Sequence, residues 1–182
     1  APPAWFPYAQ HKLALEQYIA QNLPDAIQFR AHLIVGGRAR KFLREIFLLP
    51  VWLDFGAKPP KQQVIHEDDV VDAILAGLQK PVHGVYNLAA PDVIQLGGDY
   101  IRKGVEEGRK IRRMRFGIVR AFALVGRLFI QKDLITLIAM LDTTSTANCD
   151  KAARDLGWQP QRSAWDARKD ALASLGKSDS GE

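Results

Sequence analysis

The sequence is poor in residues that form disulfide bonds or bind metal ions, and it has no long apolar run. It contains one cysteine, Cys149, so it cannot form an internal disulfide, which is typical of a reducing compartment. The longest apolar stretch, residues 116–130, contains Arg120 and Arg127 and is shorter than the roughly 20 residues that span a bilayer. We predict no metal site, because none of the four histidines stands at a metal-ligand spacing: His11, His32, His66 and His83. With no signal-peptide pattern at its start, the chain is expected to be cytoplasmic and to have no membrane partner.

The charge of the chain is modest. Its formal net charge is +5, and 25% charged residues against 47% hydrophobic residues are typical of a folded domain. The densest basic segment, Arg109–Arg115, has no interleaved aromatic residue, so we interpret it as a solvated connector. Contact with an anionic group of a substrate or cofactor is the alternative. The apolar segment after it is interpreted as a basic-edged core helix. We therefore predict no nucleic-acid partner.

Helices and strands alternate in the first half of the chain. Apolar spacing predicts a helix over Pro7–Asn22, which Pro24-Asp25 ends. Residues 27–35 alternate between apolar and polar and predict one strand, which turns at Gly36-Gly37. The next expected elements are a helix over residues 38–49 and a loop over residues 54–61.

The following segments continue the alternation and then become helical. A short strand is predicted over Gln63–Ile65, and a helix begins at Asp68-Asp69, where one of the two carboxylates is expected to cap the first turn. Pro81 ends that helix, and Gly84–Ala89 is predicted as a strand. After Pro91 helices are predicted over residues 98–107, 116–131, 133–141, 148–156 and 163–175.

This order predicts an α/β fold: the back half of a Rossmann-like doubly wound parallel sheet, with a smaller, mostly helical substrate lobe. The visible strands are too few for such a sheet, which usually has about five or six. Because the chain also begins without an initiator methionine, we expect it to be truncated or excised, although a processed protein would begin in the same way. The expected units are residues 1–95 (carboxyl-terminal part of a dinucleotide-binding domain with substrate-lobe insertions), 96–176 (substrate-binding lobe) and 177–182 (disordered tail).

Tyr8 and Lys12 form a local pattern with the residue types that proton transfer requires. At an i, i+4 spacing on a helix the two side chains share a face, with Cβ atoms about 5–6 Å apart. A phenol alone has a pKa of about 10 and is a poor proton shuttle near neutrality. An ammonium beside it favours the phenolate and can also donate to a ribose hydroxyl. The same spacing is common in helices where the tyrosine and the lysine have no function, so the pair alone does not identify a catalytic site.

Segments along almost the whole chain, from Tyr8 to about Ala173, resemble the extended short-chain dehydrogenase/reductases (the NAD-dependent epimerase/dehydratase family) in the right order. Tyr8 and Lys12 match its Y-x-x-x-K pattern. The other segments are FRAHLIVGG at 29–37, similar to L-R-P-x-x-V-x-G-P; VIHEDDV at 64–70, similar to V-H-V-x-D-V; GVYNL at 84–88, similar to its last core strand; and NCDKA at 148–152 with LGWQP at 156–160, similar to its closing helix and L-G-W-x-P turn.

The resemblance implies roles for individual residues. Tyr8 would exchange a proton with the substrate hydroxyl or carbonyl while the nicotinamide of NAD or NADP exchanges a hydride. Lys12 would bind the nicotinamide ribose and tune Tyr8. Both residues and His32 would contact the cofactor, and Leu33 would face the substrate. The segment His66–Asp69, the 84–88 strand and the L-G-W-x-P turn would be scaffold.

The chain departs from the family pattern at several positions. The glycine-rich G-x-x-G-x-x-G turn that holds the pyrophosphate is absent, and no Ser or Thr precedes Tyr8, so we expect the chain alone to be inactive. Leu33 stands where sugar-nucleotide members often have Asn, and Gln62 stands where many have Arg, which weakens the case for a nucleotide-sugar substrate. Ala31 and Gly37 replace common prolines.

The predicted function is therefore that of a fragment of an NAD(P)-dependent oxidoreductase or epimerase/dehydratase. It would use Tyr8 and Lys12 on a small hydroxyl or carbonyl substrate, sugar-derived compounds included, and its full-length parent is a candidate homodimer. One alternative is a catalytically inactive relative that serves as a cofactor-sensing or protein-interaction module. Another is an unrelated basic binding protein in which Tyr8 and Lys12 are incidental.

Overall fold

A computed structural model describes residues 7–39, 50–95, 97–125 and 143–178 of the chain. Three predicted elements therefore lie wholly or partly outside the described residues: most of the helix over 38–49, the end of the helix over 116–131, and the helix over 133–141. Of the tail expected over residues 177–182, the first two residues belong to the last helix, which ends at Ser178.

Six helices lie in the described residues: α1 (Pro7–Asn22), α2 (Glu67–Leu78), α3 (Gly98–Glu106), α4 (Phe116–Val125), α5 (Asp150–Leu156) and α6 (Ala164–Ser178). The bounds of α1 are those predicted, because Pro7 suits the first turn of a helix and Pro24 cannot continue one. Within these residues no helix combines the length and the apolarity that crossing a membrane requires.

Short strands form four two-stranded pairs in the same residues: β1 (Ile27–Ala31), β2 (Leu33–Val35), β3 (Val51–Asp54), β4 (Lys61–Gln62), β5 (Val64–His66), β6 (Gly84–Leu88), β7 (Ile94–Gln95) and β8 (Arg112–Arg115). Three pairs are parallel, namely β1 with β6, β2 with β5, and β3 with β8, whereas β4 and β7 are antiparallel. Parallel pairs between strands that are distant in sequence confirm the predicted α/β class.

The single strand predicted over residues 27–35 is wrong, because the segment divides at His32. The β1–β6 ladder ends with Ala31 opposite Leu88, and the β2–β5 ladder begins with Leu33 opposite Val64. The His32 N–H donates to the Leu88 carbonyl at 2.9 Å. The two halves of the segment have different partners, so His32 lies at the junction of two ladders.

Separate hydrophobic clusters cover these two ladders. One lies where α6 packs on β2 and β5 and consists of Val35, Val64, Ala90, Ile94, Tyr100, Ala164, Ala167 and Ala171. The other lies where α2 and α5 pack on β5 and β6 and consists of Ile65, Ala73, Tyr86, Leu88, Ala152, Leu156 and Trp158. Val64 and Ile65 are adjacent on β5 and belong to different clusters, so this strand is buried on both faces, as is usual in parallel sheets.

A histidine caps α2, and the cap predicted at Asp68 or Asp69 is wrong. The Asp68 N–H donates to His66 Nδ1 at 3.1 Å. Because Nδ1 accepts, the ring proton is on Nε2, which donates to Asp170 Oδ2 at 3.1 Å. Asp69 cannot serve as the cap, because its side chain is turned into the protein and binds Arg162.

The buried Asp69 fastens the L-G-W-x-P turn to α2. The indole Nε1 of Trp158 donates to the Asp69 carbonyl at 3.0 Å. The Asp69 carboxylate accepts from the N–H groups of Gln161 and Arg162 at 3.3 and 3.1 Å, and from the Arg162 guanidinium at 2.8 Å. Gly157 permits this path, because its φ of 64° ends α5 in the left-handed region.

The basic segment contains a strand that the sequence did not predict. Residues Arg112–Arg115 form β8 beside β3, and the side chains of all four residues are exposed. The interpretation as a connector is therefore wrong for these residues, whereas their contact with solvent is as predicted.

Candidate functional site

Helix α1 carries Tyr8 and Lys12 on one exposed face. The Lys12 Nζ lies 5.6 Å from the centroid of the Tyr8 ring, and 61% of the Tyr8 surface is accessible. The ammonium can interact with the ring from this position. The structure thus brings the two residues together as their spacing predicts, and their catalytic roles stay predictions.

His32 and Leu33 lie together at the junction of β1 and β2. Burial lowers the pKa of the His32 imidazole, and a hydrogen bond to the backbone of Gln63 acts in the opposite direction. The neutral ring is therefore favoured near pH 7. The neighbouring Leu33 is 53% exposed, so an apolar side chain is presented to solvent there. The cofactor role of His32 and the substrate role of Leu33 stay predictions.

An ion pair joins the helix that carries Tyr8 and Lys12 to the strand that precedes His32. Arg30 on β1 donates through Nε to Glu16 Oε1 at 2.8 Å and through Nη2 to Glu16 Oε2. This pair was not predicted from the sequence. The sequence near Lys12 shows only that an acid, Glu16, follows it by four positions. Its partner Arg30 is 14 positions further along the chain, and only the fold brings the two together.

Gln62, which stands where many members of the family that the chain resembles have Arg, has a structural role. Its Nε2 donates to the Thr143 carbonyl. The adjacent Lys61 N–H donates to Thr144 Oγ1 at 3.2 Å, and the Ser145 N–H donates to the Lys61 carbonyl at 2.7 Å. Gln62 therefore helps to hold residues 143–145 against β4, and it offers no positive charge to an anionic substrate.

A cavity of about 290 Å³ lies at the amino end of α2. Its lining residues are Gly37, Arg38, His66, Glu67, Asp68, Asp170, Ala173 and Ser174. The Glu67 carboxylate accepts from the Arg38 N–H at 3.0 and 3.1 Å. A Cβ at Gly36 would lie 2.4 Å from the Glu67 side chain, which would have to move to admit it. In the part of the chain that the structure describes, no cluster of His, Cys, Asp and Glu is arranged to hold a metal ion.

No protein-family model matches the chain, and no curated protein is significantly similar to it. Solved structures do match. A UDP-glucose 4-epimerase from Thermotoga maritima, determined with UDP-glucose, has a TM-score of 0.69 at 18% identity, over 94% of this chain and 54% of that one. A UDP-glucuronic acid 4-epimerase from Bacillus cereus, determined with NAD, has a TM-score of 0.65 at 16% identity, over 97% and 54%. RMD from Pseudomonas aeruginosa, determined with NADPH, has a TM-score of 0.59 at 11% identity, over 92% and 55%.

The chain spans about half the length of these structures. Similarity at such low identity establishes a shared fold, and the parallel strand pairs agree with it. The fold that the resemblance predicts is confirmed: the chain has the Rossmann-like α/β fold of these epimerases over about half of their length.

Proposed function

We propose that the chain is the carboxyl-terminal portion of an NAD(P)-dependent oxidoreductase or epimerase that acts on a small, sugar-derived hydroxyl or carbonyl substrate. Residues 1–95 would complete its cofactor-binding domain, and residues 96–176 would form its substrate lobe. The observation that carries the proposal is the Lys12 ammonium beside the exposed Tyr8 ring, in a fold shared with epimerases that were determined with NAD or a UDP-sugar.

We propose that Tyr8, Lys12, His32 and Leu33 would serve the nicotinamide end of such a cofactor. NAD(P), when bound, supplies the acceptor and the donor of the hydride. Lys12 would donate to the ribose hydroxyls and would stabilise the Tyr8 phenolate when the proton at its Oη passes to the substrate oxygen. His32, as a neutral ring, would add no second positive charge. Leu33 would contribute an apolar wall that excludes water from the substrate.

The test is kinetic and uses the full-length protein that contains this chain. NAD and NADP are each supplied with a panel of UDP-sugars and free sugars. Tyr8→Phe removes the transferable proton and should lower kcat by about 10²- to 10⁴-fold, with an unchanged circular dichroism spectrum. His11→Gln, at an exposed position between Tyr8 and Lys12, is the matched control and should keep wild-type activity. Full activity of Tyr8→Phe would contradict the proposal.

A catalytically inactive relative that serves as a cofactor-sensing or protein-interaction module is the second candidate. An apolar stripe on the outer side of α2 favours it, at an i, i+3, i+4, i+7 spacing: Val71, Ile74, Leu75 and Leu78, all exposed. This candidate predicts cofactor binding without turnover by the full-length protein. It also predicts that Tyr8→Phe leaves every measured property unchanged, so the same experiment separates the two.

The proposal further includes a cytoplasmic location, a homodimeric full-length protein and no nucleic-acid partner. Light scattering of the full-length protein should give twice the mass of one chain, and fractionation of the source cells should recover it in the soluble cytoplasmic fraction. Because the arginines of β8 are exposed, nucleic acid is the partner that this part of the proposal must be tested against. Salt-dependent binding of an oligonucleotide would contradict that part of the proposal and would favour a basic binding protein.

A further inference from the structure

The ion pair between α1 and β1 is bidentate and lies close to Lys12. Arg30 uses Nε and Nη2 to bind the two oxygens of Glu16 separately. The Glu16 side chain is 25% exposed and that of Arg30 is 52% exposed. Two parallel N–H···O bonds fix the direction of a carboxylate as well as its distance. The carboxylate of Glu16 is thereby turned towards β1.

Lys12 stands between two groups that can compete for its ammonium. Tyr8 precedes it by four positions and Glu16 follows it by four, so all three share one face of α1. The pKa of the Glu16 carboxyl is lowered, chiefly by the hydrogen bond from Arg30 and with a further electrostatic contribution from Lys12. The charge of Lys12 therefore already acts on Glu16, and Arg30 occupies the oxygens that could accept from it.

We propose that Arg30 is a positioning residue for the Tyr8–Lys12 pair: by binding both oxygens of Glu16, it keeps the Lys12 ammonium available to Tyr8. This inference rests on the proposed function. If Arg30 were absent, Glu16 would pair with Lys12, and a neutralised ammonium would stabilise a developing phenolate less well. Arg30 acts through Glu16 alone and needs no contact with the substrate or the cofactor.

The experiment compares Arg30→Gln with the double variant Arg30→Gln/Glu16→Gln in the full-length protein. Arg30→Gln should lower kcat about tenfold, which is a part of what a proton relay contributes. It should change the KM for the sugar substrate less than about twofold. It should also move the acid limb of the kcat/KM pH profile to higher pH and weaken NADPH or NADH binding, measured by fluorescence. The double variant removes the competing carboxylate as well, so kcat and cofactor binding should return to within about threefold of wild type.

A matched control comes from a second exposed ion pair. Arg102 binds Asp99 at 2.6 Å on α3, and Arg102→Gln should leave kcat, the pH profile and cofactor binding unchanged. Thermal unfolding should show that Arg30→Gln and the double variant lose the same stability, because both lose the link between α1 and β1. Recovery of activity without recovery of stability is the expected signature.

A double variant as impaired as Arg30→Gln would overturn the inference, because Arg30 would then only anchor α1 to the sheet. Failure of the proposed function has a different signature. It would appear as full activity of Tyr8→Phe, or as absence of cofactor binding by the unaltered protein, and either result overturns both proposals.

Discussion

Replacing Asp69 with Asn would remove the charge of a carboxylate that is fully buried, while almost keeping its shape. The carboxylate accepts three hydrogen bonds, from the N–H groups of Gln161 and Arg162 and from the Arg162 guanidinium. An Asn side chain has one oxygen, and its NH₂ group would face at least one of these donors. The change therefore leaves one of the part-buried donors that directly follow the L-G-W-x-P turn without its acceptor.

The structure sets the expected size of this effect. A buried donor that loses its acceptor costs about 1–3 kcal/mol. The lost attraction of the Arg162 guanidinium adds less than a buried ion pair would, because 35% of that side chain is exposed and water can replace the carboxylate. Because the lost hydrogen bonds are part-buried, we expect Asp69→Asn to lower the free energy of unfolding by about 2 kcal/mol.

Urea unfolding followed by tryptophan fluorescence and circular dichroism measures this loss. Asp72→Asn is the matched control, because its side chain is 52% exposed and its carboxylate lies 3.7 Å from the same guanidinium, and it should cost less than about 0.5 kcal/mol. If Asp69→Asn costs no more than Asp72→Asn, the buried carboxylate does not hold the turn.

Two further predictions concern the second half of the chain. Arg168, which is buried, donates two hydrogen bonds of 2.6 Å to Glu107, and these lower the pKa of the Glu107 carboxyl below its ordinary value of 4.5. The stability that this ion pair contributes is present above pH 4.5 and is lost as the pH falls through the lowered pKa. Urea midpoints should therefore decline less on acidification in Glu107→Gln than in wild type, and equal declines would contradict this. At Gly97, where φ is 84° and an added Cβ would lie 2.1 Å from the Leu53 carbonyl oxygen, substitution by Ala should cost about 2 kcal/mol or more in thermal unfolding. Gly98→Ala, whose Cβ meets open space, should cost much less, and similar losses for the two variants would show that the clash is relieved cheaply.

Features that depend on neighbours within one helical turn could be predicted from the sequence. The bounds of α1 follow from prolines at its ends, and the meeting of Tyr8 and Lys12 follows from their i, i+4 spacing. Both are decided by local backbone geometry, which the order of residues fixes before any tertiary contact forms.

Features that depend on distant partners could not be predicted. The break at His32 arises because β1 and β2 pair with different strands, which an alternating pattern does not reveal. The strand β8 has an arginine-rich sequence typical of a loop, and its pairing with β3 makes it a strand. Glu16 meets Arg30 only because α1 lies beside β1. The cap of α2 was predicted at the acids that follow His66 rather than at His66 itself, because histidine is rarely the preferred cap.

The parallel strand pairs also have a consequence for how the chain is made. Ile27 pairs with Gly84, and Val51 pairs with Arg112, so each pair closes a long loop and must form slowly. During synthesis, at about 5–20 residues per second, β1 and β3 leave the ribosome several seconds before their partners exist. Their backbone edges are unpaired during that interval, and a nascent chain is then most open to a chaperone or to the edge of another chain. The topology that places His32 at the junction of two ladders thus also sets the period in which the newly made protein is most vulnerable to misassembly.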